Sequence, residues 1–200
     1  MGEKLLVCGA GQGGHAISAY AALQGHDVTL YTHSPHKADI IQEAGKKITV
    51  SGIFSGEAQL VDVTTMLDTA VSANQNIIIV TDATAHQYYA EQMAPILTDQ
   101  NIVLISPGIG GALDFLRRVN HLNPDAEITV SETDTLMYAC KVPSIGQSYV
   151  KVEKSNILYT TVPEDRDIGN IVKSLYPQFT NSGNSLMGLD DSPVFHIVGM

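Results

Sequence analysis

The chain has 200 residues, 44 % of them hydrophobic, enough to bury about 70 % of its unfolded surface in a core without disulfides or metals. Eleven Lys and Arg face 21 Asp and Glu, and the net charge of −10 excludes the basic surface that nucleic-acid binding needs. Cys8 and Cys140 form no spaced pair, which predicts free thiols in a reducing, cytoplasmic setting, and no run approaches the ~18 apolar residues of a membrane span.

Residues 4–8 form a short apolar strand that starts too early to follow a signal peptide. Leu6 stands where the myristoylation motif opened by Met1-Gly2 wants Ser or Thr. The strand feeds Gly9-Ala10-Gly11-Gln12-Gly13-Gly14, a G-x-G-x-x-G loop, and an Ala-rich helix follows over 15–23. A second strand over 27–32 comes at the distance expected of a dinucleotide-binding unit. In such a loop Gly9 permits the tight turn, Gly11 lets backbone approach a pyrophosphate, and Gly14 lets the helix pack closely on the strand. The free N–H groups and the dipole at the helix start attract the anion. A glycine-rich connection without a ligand is the bland alternative; the strand before, the helix after and the second strand favour the nucleotide.

Residues 34–44 read as a helix with Ser34 as cap and Pro35 in its first turn. Short strands over 47–51 and 58–61 flank a Ser-Gly turn, and a short helix is predicted over 64–71. The run 76–80 is a buried parallel strand, 84–97 a helix, and 101–106 another buried strand. Gly108-Ile109-Gly110-Gly111 breaks the chain before a helix over 112–121, and strands follow over 128–131 and 136–140. Near Val142 the pattern changes: 149–153 and 157–161 alternate around Lys154-Ser155-Asn156, which predicts an antiparallel hairpin. A helix over 165–175 and a Gly- and Asn-rich tail from Phe179 complete the chain, with no repeat, low-complexity tract or linker. The alternation predicts the α/β class: a Rossmann-type, doubly wound, mostly parallel sheet with an antiparallel hairpin extension. One domain is expected over 1–183, with 184–200 as the interrupted start of a further segment.

The second strand of an NAD-binding unit commonly ends on a carboxylate that takes the ribose 2′-hydroxyl. Here Thr32, His33 and Ser34 hold that place, with His36 and Lys37 just beyond. Nothing there repels a 2′-phosphate, so NADP is preferred over NAD, against a reading of ordinary polar loop residues. Thr81, Asp82 and Gly108 end later strands at the carboxyl edge, where open α/β sheets bind ligands. Asp82 either meets a substrate amine or, more blandly, caps the helix beyond it. The Gly108 loop either approaches a nicotinamide or simply enters a helix. His15 is expected to serve the first helical turn near the pyrophosphate. Glu132 either holds a hydrogen bond near the cleft or is a turn residue, and Cys140 reads as a strand residue rather than a nucleophile. No metal site is expected.

Four segments together resemble the opine dehydrogenases, the octopine and nopaline dehydrogenase group. Gly9 to Ala16 resembles their nucleotide loop, and Ser106-Pro107-Gly108-Ile109-Gly110-Gly111-Ala112-Leu113 resembles their N-P-G-x-x-G-G-A segment. Ser131-Glu132-Thr133 through Cys140-Lys141 resembles their G/S-E-T segment ending in Cys-Arg. Asn184-Ser185-Leu186, then Pro193-Val194-Phe195-His196, resembles the approach to their catalytic histidine. The resemblance implies an NAD(P)H-dependent oxidoreductase that reductively condenses an amino acid with a 2-oxo acid. It also implies His196 as general acid/base, paired with an Asp from a C-terminal helical domain. That domain is expected to be absent, so the chain would be the nucleotide-binding domain and its activity alone is in doubt. An imidazole suits a proton donor that must recycle near neutral pH; read without the family, His196 is a packed histidine on an apolar segment. The alternatives are a ketopantoate-reductase-like or hydroxyacid dehydrogenase, which commonly uses a Lys acid, and a non-catalytic NADP-binding module. No Lys follows Lys173. Arg117, Arg118 and Lys141 are the candidate carboxylate-binding cations. Phe195, Ile197 and Val198 are expected to support self-association as a homodimer.

Overall fold

The computed structural model describes residues 2–108, 110–166 and 168–183. The chain divides into two units, Met1–Thr81 with Met137–Lys154, and Asp82–Leu136 with Ser155–Met200.

The first unit is built on β1 (Lys4–Cys8), in which Leu5, Leu6, Val7 and Cys8 are fully buried, as befits a strand with parallel neighbours and covered faces. It pairs in parallel with β2 (Asp27–Tyr31) and β6 (Asn76–Ile79), Leu6 lying opposite both Thr29 and Ile77. β5 (Asp62–Thr64) joins in parallel beyond β2, giving the order β6-β1-β2-β5. α1 (Gln12–Leu23) crosses from β1 to β2; α2 (Pro35–Glu43) follows β2, and α3 (Leu67–Ala73) leads into β6.

A second sheet completes this unit, in the order β4-β3-β10-β9: β4 (Gly56–Gln59), β3 (Lys47–Gly52), β10 (Gln147–Glu153) and β9 (Tyr138–Lys141). β10 runs parallel to β3 and antiparallel to β9, with a register shift between Val150 and Val152. α1 packs against β1 and β2 and also against all four strands of this sheet. A helix held between two sheets needs small side chains around most of its girth. Gly13, Gly14, Ala16, Ser18, Ala19 and Ala21 supply them. Its one large ring, Tyr20, packs at 5.5 Å from Phe54 and 5.8 Å from Tyr138.

In the second unit β7 (Ile102–Ile105) and β8 (Thr129–Thr133) are parallel. β11 (Ile157–Val162) is antiparallel to β8, and β12 (Phe179–Asn181) is parallel to β11. α5 (Gly111–Leu122) buries Ala112, Phe115 and Val119, at helical spacing, against β7, β8 and β11. α4 (His86–Met93) packs on α5, and α6 (Gly169–Leu175) packs on β12.

The α/β class and the mostly parallel pairing of β1, β2, β5, β6, β7, β8, β11 and β12 are those the sequence predicts, whereas β4-β3-β10-β9 is antiparallel at two of its three pairings. The predicted hairpin is not found: β10 and β11 do not pair with each other. β10 sets Tyr149 opposite Ser51 and Lys141, whereas β11 sets Thr160 opposite Glu132. The alternation is real on β10, where Ser148 and Val150 face inward, but β11 buries Ile157, Tyr159, Thr160 and Thr161 on both faces. Alternation identifies a strand; it does not identify the partner. β5 lies within a stretch read as a loop and helix. The predicted helix 84–97 is a 3₁₀ turn (Ala83–Ala85) followed by the shorter α4. The predicted helix 165–175 shortens to α6: ahead of it the Arg166 N–H closes a turn on the Pro163 carbonyl, and the Arg166 side chain donates to the Glu127 carbonyl and to Thr129 Oγ1.

Candidate functional site

The three motif glycines of the loop after β1 have three different reasons. Gly9 has φ +115°, and a Cβ there would lie 2.4 Å from the Val80 carbonyl oxygen. A Cβ on Gly14 would fall 1.7 Å from the Gly9 carbonyl oxygen. At Gly11, among the described residues and apart from its chain neighbours, no atom lies within 4 Å of the position a Cβ would take. Two glycines are thus required by the protein's own backbone, while the third faces open space. α1 begins at Gln12 with no side chain capping it and no acidic residue in its first turn. Among the described residues its partial positive charge is thus met by neither a capping side chain nor a first-turn carboxylate. Beside this end, Thr81 Oγ1 is buried with no hydrogen-bond partner among the described residues, and the Thr81 methyl lies 2.9 Å from the Gly9 Cβ position.

His15 sits under the loop, fully buried. Its Nδ1 lies 2.9 Å from the Gly11 carbonyl oxygen, which also accepts from the His15 backbone N–H at 3.1 Å. Nε2 accepts from the Gly146 N–H at 3.2 Å, so the ring is neutral with its proton on Nδ1. Burial depresses its pKa, and the Lys37 cation adds to this against the opposing bond to Gly11. The side chain braces the loop from behind and presents nothing to the open side.

At the end of β2, Thr32 is buried and its Oγ1 accepts from the Ser34 N–H at 3.2 Å. Ser34 caps α2 as the sequence predicts, its Oγ accepting from the Lys37 N–H at 3.4 Å. His33 and His36 are exposed. Lys37 reaches back from α2 and donates from Nζ to the Ala10 carbonyl at 3.1 Å. Residues 32–37 carry no carboxylate.

In the second unit Asp82 is exposed and its side chain makes no cap bond. The cap expected of it is not formed, because a 3₁₀ turn held by the Asp82 carbonyl intervenes. Gly108 is buried, and a Cβ there would lie 2.2 Å from the Glu132 Cβ. Glu132 reaches from β8 under this loop: Oε1 accepts from the Gly110 N–H at 3.1 Å and Oε2 from the Ala112 N–H at 3.0 Å. It caps α5, whose own cap position is Gly110 at φ +81°. Burial raises its pKa against the backbone donors that stabilise its charge. The Ser106 and Thr133 hydroxyls lie 2.9 Å apart, and the Gly108 N–H donates to the Thr133 carbonyl. Glu132 is thus an internal cap drawn from a strand 20 residues away from the N–H it holds at Ala112, a role that linear spacing does not reveal.

Arg117 and Arg118 pair with Asp114 at 3.1 and 2.7 Å, holding the Asp114 carboxyl below its usual range. Lys141 is exposed on β9. Burial pushes the Cys8 and Cys140 thiols up, which removes the thiolate that a nucleophile needs. His196, with Asn184, Ser185, Leu186, Pro193, Phe195, Ile197 and Val198, lies outside the described residues. Among the described residues no three His, Cys, Asp or Glu side chains gather to hold a metal ion, and no helix is long and apolar enough to cross a membrane.

The model of the family "Ketopantoate reductase PanE/ApbA" matches residues 5–134. The opine dehydrogenase of Arthrobacter sp. (strain 1C) is 30 % identical over 158 residues, covering 78 % of this chain and 44 % of that protein. This bears out the resemblance drawn from the four sequence segments. The chain spans less than half the length of the curated relatives it matches. Among solved structures, octopine dehydrogenase with NADH and L-arginine superposes with a TM-score of 0.83 at 24 % identity, covering 97 % of this chain and 52 % of that one. Yersinopine dehydrogenase with NADP+ bound superposes with a TM-score of 0.75 at 15 % identity, covering 94 % and 49 %. At these identities the likeness establishes a shared fold.

Proposed function

Because the chain belongs to the ketopantoate reductase PanE/ApbA family, we propose that it is the nucleotide-binding part of an NAD(P)-dependent oxidoreductase of the opine dehydrogenase kind. The whole enzyme would reductively condense the amino group of an amino acid with a 2-oxo acid. The observation that carries this reading is the open, uncapped start of α1 under Gly11. An anion is what such an end lacks, and a pyrophosphate supplies it. Similarity to the Arthrobacter opine dehydrogenase supports the reaction class.

The residues present fit a dinucleotide. Gly9, Ala10, Gly11, Gln12, Gly13 and Gly14 offer backbone to the phosphates, and the unpartnered Thr81 hydroxyl stands beside them. His33, Ser34 and Lys37, with Thr32 behind them, would receive the adenosine ribose. One cation and no carboxylate there favour NADP over NAD. When bound, the nicotinamide supplies or accepts the hydride. His15 and Glu132 hold the two loops, and His196, by resemblance, would hand a proton to the forming amine.

Calorimetric titration with NADPH and NADH, followed by an oxidation assay with pyruvate and a panel of amino acids, tests the reading. Tight NADPH binding is expected; binding of neither nucleotide overturns it. The family match keeps a second reading in view, a ketopantoate-reductase-like enzyme. Oxidation of NADPH with ketopantoate but with no amino acid and oxo acid pair would establish that alternative.

A further inference from the structure

We propose that His15 is a positioning residue for the nucleotide, acting through one peptide bond: it fixes the plane between Gly11 and Gln12 so that the Gln12 N–H points out at the ligand. The inference rests on the nucleotide reading of the glycine loop.

Gly11 has a requirement that works against order. The ligand needs open space there, and among the described residues, its chain neighbours apart, no atom lies within 4 Å of its Cβ position to restrain it by packing. A glycine without packing neighbours explores more backbone conformations than any other residue. The restraint comes from the carbonyl instead. The Gly11 oxygen accepts two donors from the same residue, the His15 backbone N–H at 3.1 Å and the His15 Nδ1–H at 2.9 Å. In a planar trans peptide the N–H lies opposite the C=O. Pulling the Gly11 oxygen inward therefore turns the Gln12 N–H outward, and a doubly bonded carbonyl polarises that N–H into a stronger donor.

The imidazole must itself be held to do this. Its Nε2 accepts the Gly146 N–H at 3.2 Å, from the turn between β9 and β10, and this fixes both the ring and the tautomer. An anchored ring sets the loop before the ligand arrives, so that binding does not have to order it. Of the elements around the ring, the loop and the turn present backbone, and the Lys37 ammonium of α2 is the charged group acting on it.

The two bonds can be broken separately. In His15→Asn the amide nitrogen occupies the place of Nδ1 and keeps the bond to Gly11 while Gly146 loses its acceptor. In His15→Gln the side-chain oxygen reaches the place of Nε2 and keeps Gly146 while the Gly11 carbonyl loses its second donor. The experiment measures Kd for NADPH, by fluorescence titration of the full chain, alongside Tm for each variant. The expected result is a crossover. His15→Asn loses more thermal stability but stays within about threefold of wild-type affinity, whereas His15→Gln holds its Tm better and weakens NADPH about tenfold, about 1.4 kcal/mol. Affinity that is unchanged in His15→Gln, or that follows Tm across both variants, reduces His15 to a structural residue and overturns the inference alone. A wild-type chain that binds no NADPH overturns the nucleotide reading, and this inference with it.

Discussion

The Nζ of Lys37 lies 3.1 Å from the Ala10 carbonyl oxygen, so a cation carried on α2 closes over the backbone of the glycine loop. A 2′-phosphate on the adenosine ribose would offer that ammonium a stronger acceptor than a neutral carbonyl does. Lys37→Ala is therefore expected to weaken NADPH by about tenfold, about 1.4 kcal/mol, and to leave NADH within about twofold. Parallel titrations of the two nucleotides check this, and an equal loss for both removes the preference for NADP.

Gly11 and Gly14 are expected to separate binding from folding. A methyl group on Gly14 meets the Gly9 carbonyl oxygen, so Gly14→Ala must displace either α1 or the loop, at a cost of about 3 kcal/mol or more. On Gly11 the same methyl meets nothing, so Gly11→Ala is expected to retain the wild-type Tm. It nonetheless fills the space a phosphate needs, and NADPH binding is expected to fall by at least about tenfold. Thermal melts with and without NADPH distinguish the two.

Glu132→Gln keeps the size of the side chain but replaces one acceptor with a donor. The Gly110 and Ala112 N–H groups both require an acceptor, and one of them would then face an NH2 group. The expected loss is about 1–3 kcal/mol, the cost of an unsatisfied buried N–H. Denaturant unfolding at neutral pH measures it, and a neutral result would show that the loop rearranges freely.

His15 gives stability a pH dependence of known sign. Its folded-state pKa lies below the ordinary histidine value near 6.5, first through burial. The unfolded chain then binds the proton more readily than the folded one, so this contribution is present above about pH 6.5 and is lost as pH falls through the depressed value. Wild-type stability should decline on the acid side, and His15→Asn should flatten that limb. Melts across about pH 5 to 8, where histidine alone among ordinary side chains titrates, provide the check.

What the sequence reveals is local. Gly9, Gly11 and Gly14 announce the loop because the turn and the helix start they build lie within one short stretch of chain, although the contact that demands Gly9, the Val80 carbonyl, is itself distant. Ser34 and Pro35 announce α2 for the same reason. What it conceals is long-range. Nothing near His15 shows that its partner is Gly146, and nothing near Gly110 shows that Glu132 will cap the helix behind it. The misassigned hairpin has a related origin: β10 and β11 are neighbours in sequence, but β10 pairs back with β9 and with the distant β3, and β11 pairs with β8.

One consequence concerns the order in which the protein is made. The first unit is sewn from two distant stretches, Met1–Thr81 and Met137–Lys154. On the ribosome the glycine loop emerges early, yet the backbone group that steadies its histidine arrives 131 residues later. Until β10 has been synthesised and laid parallel to β3, α1 lacks half its cover. Such late closure of early segments slows folding and leaves apolar surface waiting. The nascent chain therefore reaches residue 81 with its nucleotide loop written but not yet braced, and a fragment ending there would inherit that unfinished state.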